Sequence, residues 1–142
     1  MRVMGIDWGR ARIGLALSDF TGLIASPFRA IKRKGEDRDI EEIMRIIKEE
    51  EVGEIVVGIP LNMEGEQGVS AYAVKAFSTK LEAAFRGPMH LVDERYSTSA
   101  AERSLLEADL SRKRRKELRD GVAAAWILQG FLDARNAEGA KQ

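Results

Sequence analysis

The sequence has no cysteine, a single histidine, no net charge and no long apolar run. Each absence removes a class of function. Without cysteine there is no disulfide framework, no thiol nucleophile and no thiolate site for zinc. His90, the lone histidine, falls within a strand-like segment and reads as a packed or rim residue, not a base. The 23 Lys and Arg balance the 23 Asp and Glu, so any basic patch for nucleic acid must be local. The best apolar run, Val122 to Leu128, is far shorter than the roughly 20 residues of a membrane-spanning helix. The start carries no signal-peptide pattern, so a cytoplasmic protein with no membrane partner is expected. The 142 residues suffice for one core and not for two lobes: residues 1–136 read as a single domain and 137–142 as a flexible tail.

Hydrophobic periodicity supplies the elements. Residues 2–7 and 12–18 read as a hairpin whose second arm alternates bulky Ile13, Leu15 and Leu17 with small Gly14, Ala16 and Ser18. A third strand is expected at about residues 28–31. Ile40, Ile43, Met44 and Ile47 form the stripe of an amphipathic helix, expected to close at Gly53. Ile55 to Ile59 is a nearly all-apolar run, the mark of a strand covered on both faces, and Pro60 stops it. Ala73, Phe77, Leu81 and Ala84 predict a second helix ended by Gly87-Pro88, and Met89 to Val92 a fifth strand. Ser99 and Glu102 have capping-box spacing for a helix through about Ala108, and a last helix is expected from Arg115 to Ala134. Helices between successive strands imply parallel pairing, so the fold class is α/β, a five-stranded mixed sheet with strands 1–3 antiparallel, parallel additions and flanking helices.

Acidic residues sit where such a sheet would bind a ligand. Asp7 ends the run Val3-Met4-Gly5-Ile6, and Asp93-Glu94 ends another strand; ligands bind outside the carboxyl ends of strands in open α/β sheets. Asp120 shares a helical stripe with Ala124, Ile127 and Phe131, which places a carboxylate on a packing face. Taken singly, Asp7 could be a turn residue, Asp120 a helix-start charge and Asp93-Glu94-Arg95 a surface ion pair. Together, carboxylates without histidine or thiolate suit Mg²⁺ or Mn²⁺, the ions used in pairs for phosphodiester hydrolysis.

Asp7-Trp8-Gly9 with Arg12-Ile13-Gly14-Leu15-Ala16 is the first of four ordered blocks. Gly58 to Gly65, Asp93 to Thr98, and Asp120 leading into Ala123 to Gln129 are the others. As a set they resemble the YqgF family, bacterial proteins regarded as pre-16S rRNA processing nucleases and also as Holliday junction resolvases, with an RNase H-like fold. The resemblance implies Asp7, Glu94 or its neighbour Asp93, and Asp120 as the acids of a two-metal nuclease. Asp93 and Glu94 point to opposite faces under period-two alternation, and Glu94 is preferred. It also makes Asn62 and Arg95 candidates for positioning phosphate or substrate. One departure stands out: where the family pattern has threonine and lysine between Gly9 and Arg12, this chain has Arg10 and Ala11.

Immediately before Asp120, Arg112, Lys113, Arg114, Arg115, Lys116 and Arg119 stand against Glu117 alone, a basic approach suited to a phosphate backbone or else a solvated charge run. Lys32-Arg33-Lys34 could extend it or be merely a loop. The expected partner is therefore nucleic acid, precursor rRNA or branched DNA, bound by a monomer or a homodimer. Two other readings remain open: an actin-like or sugar-kinase-type nucleotide-binding module, for which Asp-x-Gly would be a phosphate loop, and a nucleic-acid binder without turnover.

Overall fold

The computed structural model describes residues 1–60, 69–93 and 112–140, and of residues 69, 70, 112–120 and 140 the backbone only. Five strands, β1 (Arg2–Trp8), β2 (Arg12–Ser18), β3 (Ala25–Lys32), β4 (Val52–Ile59) and β5 (Met89–Asp93), form one sheet in the order β3-β2-β1-β4-β5. β1 pairs antiparallel with β2 and β2 with β3, whereas β4 runs parallel to both β1 and β5. Helices α1 (Glu36–Glu49) and α2 (Val69–Phe85) cover one face and α3 (Arg112–Ala140) the other. The expected five strands and their directions, antiparallel through β1–β3 and parallel for the later additions, are those observed. The capping-box helix expected from Ser99 lies outside the described residues.

The bulky-small alternation of β2 decides which helix packs where. Ile13, Leu15 and Leu17 join Met4, Ile6, Ile55 and Val57 in the larger core under α1 and α2. The small face, with Ala16 beside Val3 and Val56, lies under α3. Small residues there let the helix come close: a Cβ on Gly5 would lie 2.8 Å from the Ala124 carbonyl oxygen and 2.8 Å from the Leu128 Cβ. Ser18, also on this face, accepts the Val3 N–H at 2.8 Å and donates to the Asp19 carbonyl. The buried hydroxyl is thus satisfied within the sheet.

Several boundaries differ from expectation, each for a local reason. α1 ends at Glu49 with Glu50 as its C-cap, and the chain reverses at Glu51 with φ 56°; Gly53 lies inside β4, where Met1 packs against its α-carbon. α2 buries Ala71, Val74, Phe77, Ser78 and Leu81, while Ala84 is exposed, because the stripe drifts one position and Phe85 packs on the core instead. Arg86, with φ 58°, takes the left-handed position after that helix, one residue before Gly87. β3 begins at Ala25, three residues before the expected start, because pairing continues across a register shift between Leu15 and Ala16. α3 begins at Arg112 and continues through Ala140, into the stretch expected to be tail.

Candidate active site

Asp7 lies near the carboxyl end of β1, opposite Gly14 on β2. Ile6 pairs with Val57 on β4, so one residue further Asp7 and Gly58 come side by side. Since Ile6 and Val57 face α1 and α2, alternation puts Asp7, Gly14 and Gly58 on the α3 face. Asp7 is therefore flanked by glycine on both neighbouring strands. Its carboxylate is partly buried on this face. The turn that follows is tight: a Cβ on Gly9 would lie 2.7 Å from the Arg12 carbonyl oxygen.

α3 approaches this end from above. Gln129 accepts from the Ala25 N–H and donates to the Leu23 carbonyl, and Asn136 donates to the Gly22 carbonyl, all at the far end of the sheet. The helix thus runs back from the Asp7 end of β1 toward its start. Ala124 abuts Gly5, two residues before Asp7 on the same face. The backbone of Asp120 lies one helical turn earlier, about 6 Å along the axis from Ala124, at Asp7's end and over Asp7's face. The basic run Arg112, Lys113, Arg114, Arg115, Lys116 and Arg119 forms the first turns of α3 beyond the same edge.

Asp93 is the last residue of β5 and pairs with Ile59. Met89 packs on the α1 and α2 core, whereas Val92 packs under α3 and the His90 ring stands 4.9 Å from Phe131. Alternation therefore puts Asp93 on the face opposite Asp7. Glu94, Asn62 and Arg95 lie outside the described residues. Among the described residues no group of three or more potential metal-ligating side chains occurs; the side chains of Glu94 and Asp120 are not in that set.

Cations flank Asp7 on the other side. Arg12 and Lys32 are cross-strand partners on β2 and β3. Ile13 and Ile31 face α1 and α2, so Arg12 and Lys32 share Asp7's face, one step beyond the row that holds Asp7 and Gly14. The sequence offered Lys32 only as part of a basic run, because its place beside Arg12 is a matter of long-range register. Arg33, its neighbour, points the other way, to Asp39.

His90, given no role from sequence, joins a cluster at the opposite end of β4. Its Nε2 is 2.6 Å from a Glu54 oxygen, and Arg135 Nη1 bonds both Glu54 oxygens at 2.7 and 2.9 Å. Burial pushes the Glu54 carboxyl up, but the hydrogen bonds and charges of Arg135 and His90 outweigh it and hold the group below its ordinary value. This cluster ties α3 to the sheet, remote from Asp7.

A mixed sheet in the order 3-2-1-4-5, with helices on both faces and an acid at the end of its first strand, defines the RNase H-like class to which resolvase nucleases belong. Solved structures agree on the fold. The chain is similar to Thermus thermophilus RuvC in complex with a Holliday junction (TM-score 0.66, 17% identity, 96% of each chain covered). It is also similar to the yeast mitochondrial Holliday junction resolvase (TM-score 0.56, 12% identity, 92% of this chain and 77% of that one). Within that class the sequence is more specific. Residues 1–134 match the family model described as RuvX, Holliday junction resolvase. Relatives named "Putative pre-16S rRNA nuclease" include one from Clostridioides difficile, 49% identical over 132 residues (93% of this chain, 94% of the relative). Another, from Syntrophomonas wolfei, is 47% identical over 133 residues, 94% of each chain. The chain belongs to the RuvX family, the nuclease family also called YqgF.

Proposed function

We propose that this protein is a cytoplasmic, metal-dependent endonuclease that cuts structured RNA, trimming the 5′ end of precursor 16S rRNA. The observation that carries the reading is Asp7 between glycines, with the backbone of Asp120 toward the same end of the same face and Arg12 and Lys32 in the adjoining row. Asp7, Glu94 and Asp120 are the proposed catalytic acids. Glu94 is chosen over Asp93 because alternation along β5 puts Asp93 on the face opposite Asp7. An all-carboxylate donor set fits hard cations, Mg²⁺ or Mn²⁺. Such ions, when bound, would supply electrostatic stabilisation of the charge that develops on the scissile phosphate.

The chain's own residues do the rest. Arg12 and Lys32 take the phosphates next to the scissile position, and the basic first turns of α3, Arg112 to Arg119, track the backbone further along. Asn62 and Arg95 are the remaining candidates for substrate contact. Such contacts bind without reading base sequence, so recognition falls to RNA shape. No helix among the described residues is long and apolar enough to cross a membrane.

The RNA reading follows the names of relatives nearly half identical to this chain. A four-way DNA junction is the second reading, favoured by the family's description. Two strands must be nicked in a junction, which calls for a symmetric dimer, whereas trimming needs only a monomer. Cleavage of matched precursor-rRNA and DNA-junction substrates with Mn²⁺, alongside mass from light scattering, decides between them. RNA cleavage by a monomer is expected; symmetric nicking of the junction by a dimer, with RNA intact, would overturn the RNA assignment.

A further inference from the structure

The run Lys32-Arg33-Lys34 divides its labour. Lys32 stays on Asp7's face, while Arg33 turns under the sheet edge toward α1. There its Nε donates to the Asp39 carboxylate at 2.7 Å and its Nη1 to the Gly9 carbonyl at 3.3 Å. The guanidinium also lies over the Trp8 ring, 4.7 Å from its centroid, and the Arg33 backbone N–H donates to the Ala11 carbonyl at 3.0 Å. Trp8, Gly9 and Ala11 are the turn that follows Asp7. The other Asp39 oxygen accepts the Lys34 N–H at 2.9 Å, and Asp39 itself is fully buried, 0% exposed.

A buried ion pair is a poor source of stability, since well-packed apolar residues of similar volume often serve as well or better. Geometry gives it a different use. A planar guanidinium can reach an acid, a carbonyl and an aromatic face at once, which an ammonium on a flexible stem cannot. The turn it grips has no slack, because even a Cβ at Gly9 would strike the Arg12 carbonyl. We infer that Arg33, anchored by buried Asp39, is a positioning residue that locks the Trp8–Ala11 turn and thereby aims the Asp7 carboxylate at its metal. The inference rests on Asp7 being a ligand.

The test is Arg33→Lys, which keeps a cation opposite Asp39 but lacks the fork that also holds Gly9. Two readouts besides activity are needed: amide hydrogen exchange of residues 8–12 without metal, and Mn²⁺ affinity by titration calorimetry. The expected result is faster exchange confined to that turn and Mn²⁺ affinity lowered by about tenfold or more, as for other outer partners of metal ligands. Unchanged exchange would overturn the brace. Faster exchange with unchanged Mn²⁺ affinity would overturn its role toward Asp7 and leave a merely structural contact. If wild type fails to bind Mn²⁺, or binds it equally after Asp7→Asn, the ligand reading of Asp7 fails and the positioning role with it. Should Arg33→Lys not fold, the paired replacement Arg33→Met with Asp39→Leu removes both charges and goes through the same two measurements with the same outcomes.

Discussion

Gly5→Ala probes the way α3 is seated over β1. The new Cβ would meet the Ala124 carbonyl oxygen and the Leu128 Cβ, both at 2.8 Å, where ordinary contact begins at 3.4 Å. Neither atom is the free end of a flexible side chain, so the helix must lift by about 0.6 Å or its packing on Val3, Ala16 and Val56 must distort. Overpacking of this kind costs about 1–3 kcal/mol, and the reduced freedom of the unfolded chain returns about 0.4–1 kcal/mol. A net loss of about 1–2 kcal/mol corresponds to a Tm lower by about 3–8 °C in a chain of this size. The helix that lifts is also the one that carries Asp120. Cleavage by the folded variant at 20 °C should therefore fall further than the small unfolded fraction explains, on the order of tenfold or more, as for displacements of about 1 Å at an active site. Calorimetry gives the first number and single-turnover cleavage the second. A variant as stable and as active as wild type would refute this account of the interface.

Three further outcomes follow from contacts elsewhere. Glu54→Gln removes a carboxyl held below its ordinary value of 4.5. A depressed carboxylate contributes stability above its unfolded pKa and loses it as pH falls through the folded one, so wild type should exceed the variant at pH 7 and the gap should close on acidification below about pH 4; a gap constant with pH, measured by urea denaturation, would contradict the sign. Ser18→Ala leaves the buried Val3 N–H without its 2.8 Å acceptor and should cost about 1–3 kcal/mol in the same assay. Arg12→Ala and Lys32→Ala should each weaken nucleic-acid binding across sequences and lower the salt slope by about one, and a slope unmoved by either would remove that residue from the phosphate path.

What could be read from the sequence was whatever depends on near neighbours along the chain. The alternation of Ile13, Leu15 and Leu17 with Gly14, Ala16 and Ser18 revealed β2 and its two faces, and the spacing of Ile40, Ile43 and Ile47 revealed α1, because both periods are local. Asp7 was legible as a strand-end acid for the same reason. Its glycine surround was not, since Gly14 and Gly58 reach it only through the registers of two different strand pairs. Asp39 shares the first turn of α1 with Glu36 and Asp37, and nothing local in the sequence singles it out as the buried one, paired with Arg33. Arg33 in turn looked like an extension of the basic patch or merely part of a loop. Ala84, three residues after Leu81, fitted the expected stripe, but the buried face of α2 is centred on Val74, Ser78, Leu81 and Phe85 and leaves Ala84 at its exposed margin.

The central claim is that Asp7 is a metal-binding catalytic acid of a nuclease, and Asp7→Asn tests it most directly. Purified wild type and Asp7→Asn would be compared on the same precursor-rRNA and DNA-junction substrates with Mn²⁺, with binding followed by anisotropy. Cleavage by wild type, its loss in Asp7→Asn and unchanged substrate binding is the predicted result. Full cleavage by Asp7→Asn would contradict the metal-site assignment, and tight binding without cleavage by wild type would make the protein a nucleic-acid binder without turnover.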